Sequence, residues 1–124
     1  MSKPARHPLH PKLLAPAPEL ELAGSVPLRR ARGVLVPDEP GVYLIHDLRG
    51  ILYAGRTVRL QRRFEEHCLA RGNELLWLAQ RSAFGVLAFS WTLVRDKRRR
   101  AQLERALVAW LRPACNRVTP DAPA

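Results

Sequence analysis

Residues 53–67, YAGRTVRLQRRFEEH, gather one tyrosine, four arginines, two glutamates and a histidine around a short apolar skeleton. Arginine's planar, permanently charged fork matches phosphate oxygens two at a time, histidine moves protons near neutral pH, and a phenol becomes a base when nearby cations stabilise its anion. With a helix starting near residue 58, Arg59, Arg63 and His67 follow at i, i+4 and i+8, one stripe beside the apolar Leu60, Phe64 and Cys68. Arg56 stands just ahead of that stripe, and Arg62 is spaced to pair with Glu66 one turn on. Tyr43 lies ten residues before Tyr53. Far downstream, Glu104 shares a helical stripe with Ala101, Val108 and Leu111, so a carboxylate borders a face that should be apolar. Such a charge needs a partner: Arg100 one turn back, or a divalent cation such as Mg²⁺ or Mn²⁺, which takes carboxylate oxygens and keeps several waters. The ordinary readings are two strand tyrosines packed for burial, a surface histidine and a solvated arginine face.

These residues need elements to position them. GVYLIH at 41–46 and ILYAG at 51–55 are short β-rich runs separated by Asp47-Leu48-Arg49-Gly50, a hairpin signal. Whether Tyr43 and Tyr53 share a face depends on its register. A helix is predicted over about 58–70, ended by Gly72, and a second over 73–82. Residues 86–94 read as a third strand and 97–112 as a last helix stopped by Pro113, with Ala101, Leu103, Leu107, Val108, Trp110 and Leu111 inward. The order is β-β-α-α-β-α, an α+β chain with a small antiparallel sheet covered by helices. Eight of the eleven prolines lie in residues 1–40. Residues 1–36 therefore read as a Pro-rich, loosely ordered arm whose end, VLVP at 34–37, is a candidate edge strand; residues 37–118 read as the folded domain and 119–124 as a flexible tail.

With 124 residues the chain fits one domain, and 47% hydrophobic residues fit a globular one. The charge is more telling: 21 Lys+Arg against 11 Asp+Glu, net +10, with arginine supplying 18 of the 21. A polyanion is the natural partner, nucleic acid before an acidic protein. Apolar runs such as LLWLA at 75–79 are too short to span a bilayer, so no membrane is expected. Prolines at 4, 8, 11, 16 and 18 interrupt any signal-peptide core, so the expected location is cytoplasmic. Cys68 and Cys115 fit reduced thiols, with no zinc pattern.

Taken together, the residues resemble the GIY-YIG nuclease family. G-V-Y at 41–43 stands for its first motif and Y-A-G at 53–55 for its second, with valine and alanine in place of isoleucines. Leu60 and Arg63 stand five and eight residues after Gly55, where the family has a leucine and its arginine, and His67 follows one turn on. Glu104, nine residues before Pro113 and twelve before Asn116, matches the glutamate of a later helix. The match spans about 41–116, and the pattern is similar to excinuclease N-terminal domains and small standalone members. The resemblance implies a three-stranded antiparallel sheet flanked by helices, and a DNA phosphodiesterase using Mg²⁺ or Mn²⁺ in a DNA-repair setting. It implies Glu104 as metal ligand, Arg63 as phosphate clamp, Arg56 and Arg59 as further phosphate contacts, and Gly41, Gly55 and Asn116 as structural. Both tyrosines are candidates for the base; Tyr43 is favoured, with Tyr53 orienting it and His67 bonding a tyrosine or the phosphate. A protein partner for targeting fits the small members. The rival is an adaptor that binds nucleic acid on the same scaffold without cutting it.

Overall fold

The computed structural model describes residues 20–69, 74–82 and 84–116. Gly72, most of the Pro-rich arm and the 119–124 tail lie outside them. In chain order the elements are β1 (Gly24–Pro27), a 3-10 helix (Arg30–Leu35), β2 (Gly41–Asp47), β3 (Gly50–Thr57), α1 (Leu60–Cys68), α2 (Glu74–Arg81), β4 (Ala88–Leu93) and α3 (Lys97–Leu111).

β2 and β3 form the expected hairpin. Gly50 takes φ 117° at its turn, a conformation that side chains disfavour. Asp47 fastens the turn, accepting from the Arg49 backbone at 2.8 Å and from Phe84 N at 3.0 Å. Tyr43 pairs with Gly55 and Ile45 with Tyr53, and the register then shifts between Ile45 and His46. Strand alternation therefore puts Tyr43, Tyr53 and Gly55 on one face and Val42, Ala54 and Arg56 on the other.

The sheet has four antiparallel strands in the order β1-β4-β2-β3, one more than expected. The extra strand comes from the stretch read as a loose arm. Residues 24–27 pair with β4, whereas Val34 and Leu35 of VLVP belong to the 3-10 helix and form no edge strand. β1 is a product of pairing rather than propensity, since GSVP holds a glycine, a proline and one buried residue.

Helices cover both faces. On one, Leu60 and Phe64 of α1 and Leu76 of α2 pack with Tyr43, Ile45, Phe89 and Trp91. On the other, Leu107 of α3 packs with Val42, Leu44 and Ala54, and Leu103, Val108 and Leu111 flank them. Full burial of each large apolar side chain contributes roughly 1.5–3 kcal/mol. α3 starts at Asp96, whose carboxylate accepts from Arg99 N at 2.9 Å, and ends at left-handed Arg112 before Pro113. Among the described residues no helix is long and apolar enough to cross a membrane, and Cys68 and Cys115 form no disulfide.

Candidate active site

Tyr43 sits at the centre of the α1 face, with 0% exposure. Its hydroxyl lies 2.8 Å from His67 Nε2 and accepts from Arg63 Nε at 3.2 Å. His67 is 3% exposed, and burial first, then the Arg63 charge, lower its pKa to about 3. A neutral ring accepting at Nε2 takes the Tyr43 O–H, which leaves the hydroxyl lone pairs for Arg63. The hydroxyl thus donates to His67 and accepts from Arg63. Burial, then the neighbouring Tyr53, push the Tyr43 phenol well above its ordinary value, and Arg63 offsets only part of that. For Arg63, burial works against its charge, but Tyr43 and Glu66 outweigh it and raise its pKa.

Glycine makes room for this row. A Cβ at Gly55 would stand 2.5 Å from the Tyr43 hydroxyl oxygen and 2.8 Å from the Tyr53 ring, so the strand must be bare where the two rings meet. One at Gly41 would strike the Thr92 carbonyl and Leu60. Tyr53 completes the cluster, its ring centroid 5.9 Å from that of Tyr43 and 5.4 Å from that of His67. It is half-buried, whereas Tyr43 is fully buried. Tyr43, the residue favoured as the base, is fully buried here, with its hydroxyl bonded to His67 and Arg63.

Arg56 and Glu104 lie across β3 on the other face, joined by an ion pair of 2.7 Å between Nη1 and Oε1. Arg100 is not the partner of Glu104: it is buried and donates to the Val94 and Arg95 carbonyls. Arg59 is not part of the cluster either. It is the residue before α1 and forks onto Asp38 at 2.7 and 3.0 Å. Arg62 reaches Glu66 at 3.6 Å as its spacing implies, but Glu66 also holds Arg63 Nη1 at 3.0 Å, a partner at i+3 that the i+4 spacing alone does not reveal. Asn116 clasps the middle of the Y-A-G motif: its amide accepts from Ala54 N at 2.8 Å and donates to Ala54 O at 2.7 Å. With Cys115 N donating to Leu52 O at 2.8 Å, the segment after α3 closes part of the β3 edge.

Among the described residues no group of three or more His, Cys, Asp or Glu could enclose a metal ion. The donor set fits a cation held through one carboxylate, the habit of Mg²⁺ and Mn²⁺, which retain water and share phosphate oxygens. Glu104 offers one such carboxylate, with its side chain 17% exposed.

Tyr53, the Arg63–Tyr43–His67 row and Glu104 all lie within the stretch that one family's profile matches. The chain belongs to the GIY-YIG catalytic-domain family, whose profile matches residues 39–118. Among solved structures it is similar to the GIY-YIG N-terminal endonuclease domain of UvrC from Thermotoga maritima bound to its catalytic magnesium. The identity is 27% and the TM-score 0.58, covering 71% of this chain and 94% of that one. A point mutant of that domain with its catalytic cation matches at 26% identity and TM-score 0.58, over 71% of this chain and 93% of the other. No curated protein sequence matches significantly.

Proposed function

We propose that the protein is a divalent-metal-dependent DNA endonuclease that hydrolyses a phosphodiester at the β3 edge. The observation that carries this reading is the row Arg63–Tyr43–His67 packed against half-exposed Tyr53. A phosphodiester resists attack because its oxygens are negative, so hydrolysis needs neutralising charge, an aligned water and a proton acceptor. Arg63 supplies the charge; Tyr43 and Glu66 each hold one of its nitrogens, which fixes the fork. Tyr53 takes the proton of the attacking water as the general base. Tyr43 and His67 act as positioning residues for that pair. Glu104 is the residue to hold Mg²⁺ or Mn²⁺, which when bound supplies a Lewis acid for the phosphoryl oxygens and the departing alkoxide. Arg56, once free of Glu104, contacts phosphate.

Supercoiled plasmid and a panel of duplex, branched and single-stranded oligonucleotides, incubated with Mg²⁺, Mn²⁺ or EDTA, test this reading. Cutting with either cation and none in EDTA is expected, and Arg63→Ala or Glu104→Ala should lower it by about 10²–10³ or more with the circular dichroism unchanged. Full activity in Glu104→Ala would sink the metal assignment. Tight binding without cutting under every condition would leave the adaptor reading instead.

A further inference from the structure

The ion pair between Arg56 and Glu104 occupies the carboxylate that the proposed function gives to a cation. We infer that Arg56 is the resident counter-ion of Glu104 in the metal-free protein, competing with the divalent cation until a DNA phosphate draws it away. This inference rests on the metal role of Glu104. Three features support it. First, a single guanidinium nitrogen meets a single carboxylate oxygen, Nη1 on Oε1 at 2.7 Å, rather than the two-pronged pairing that locks arginine to a carboxylate. Second, both side chains reach water, at 32% and 17% exposure, so the pair can open without breaking the core. Third, Arg56 comes from β3 one residue after Gly55, so the strand that carries Tyr53 also carries the arginine that must change partner.

A cation on the Glu104 carboxylate and a guanidinium on the same group would repel one another, so each would weaken the other's hold. A phosphate that accepts Arg56 removes that repulsion and adds its own oxygens near Glu104. Metal and DNA therefore bind cooperatively, and by linkage each raises the affinity for the other by the same factor. The free protein holds its cation weakly, and the complete site assembles on DNA.

The test is Mn²⁺ affinity, read by electron paramagnetic resonance of free Mn²⁺, on the full chain with Tyr53→Phe as background to suppress cutting. Measurements are made with and without a duplex oligonucleotide. Adding DNA should tighten Mn²⁺ about tenfold in that background, within the usual range of coupling. Arg56→Gln should bind Mn²⁺ about tenfold tighter without DNA and gain less than the background when DNA is added, while Arg56→Lys should retain most of the competition. Unchanged or weaker Mn²⁺ binding in Arg56→Gln, with Glu104→Gln still losing the site, overturns the competition alone. Unchanged Mn²⁺ binding in Glu104→Gln overturns the metal assignment itself. Thermal unfolding of each variant verifies that the comparison is made on folded protein.

Discussion

His67 is held neutral by its surroundings, and its protonation state sets the direction of every hydrogen bond around Tyr43. Its pKa of about 3 lies far below the ordinary 6.5, through burial first and the Arg63 charge second. The unfolded chain therefore takes up this proton before the folded one, so stability is full above about pH 6.5 and declines as pH falls toward 3. His46, lowered by burial, acts in the same direction. Asp47, held at about 2 chiefly by its hydrogen bonds from Arg49, contributes above its ordinary 3.8 and is lost only as pH falls through about 2. The interval from pH 7 to 4 therefore reports mainly on histidine. Over it, wild-type protein should lose on the order of 3 kcal/mol more than His67→Gln, which keeps an acceptor for Tyr43 but does not titrate. Urea unfolding at the two pH values measures the difference, and parallel losses in both proteins would mean that His67 titrates normally. The tyrosines separate in a similar way. Tyr53→Phe should cut the rate about 10²–10⁴-fold with a smaller loss of stability than Tyr43→Phe, because Tyr53 is only half-buried. Tyr43→Phe should also destabilise by about 1–3 kcal/mol, since it strands buried partners on His67 and Arg63. If the stability loss instead follows Tyr53→Phe, the two roles are reversed.

At the level of elements, the hairpin is the device that makes the site. Tyr43 on β2 and Tyr53 on β3 meet over Gly55, where even one methyl group would stand 2.5 Å from the Tyr43 hydroxyl. Gly55→Ala is therefore expected to cost about 1–3 kcal/mol by overpacking and to abolish cutting by displacing the row. Gly50→Ala, which meets nothing within 4 Å, should cost only about 1 kcal/mol for its left-handed turn and leave activity in place. Equal effects of the two, read by thermal unfolding and nicking, would deny Gly55 its special role. Much of this is legible in the sequence, because alternation, a turn glycine and helical spacing are local signals. They point to the hairpin, all three helices and the adjacency of Arg63 to His67. β1 is not legible, because Gly24–Pro27 has no pattern of its own and becomes a strand only by pairing with β4. The partner of Glu104 is hidden for a related reason: Arg100 is the near candidate, but unsatisfied carbonyls at Val94 and Arg95 claim it, and Arg56 lies 48 residues away. Arg59 has the right spacing for the cluster but sits before the first turn of α1, where Asp38 is within reach.

Across the whole molecule, the net charge of +10 is gathered partly against the interest of the fold. Three segments meet at one end of the sheet: Val94 N donates to Pro40 O, Leu60 N donates to Glu39 O, and Arg95 pairs with Glu39 at 2.6 Å. This junction brings the first turn of α3, Lys97-Arg98-Arg99, near the β3 end that carries Arg56 and leads to Arg59. That turn holds no acidic residue, and its three cations are exposed at the positive end of the helix dipole. Each such cation opposes the dipole by about 0.3–1 kcal/mol, so the run weakens α3 unless a polyanion covers it. Replacing Lys97, Arg98 and Arg99 together by glutamine should therefore move two readouts in opposite directions. The free protein should gain about 1–2 kcal/mol in urea unfolding, because the dipole is relieved and the Asp96 cap is kept. DNA binding should weaken, and the slope of log K against log salt should flatten by up to about 0.9 for each phosphate no longer neutralised. A gain in stability with an unchanged salt slope would place this end of the molecule away from the DNA, and leave the backbone to be bound at the β3 edge through Arg56 and Arg63 alone.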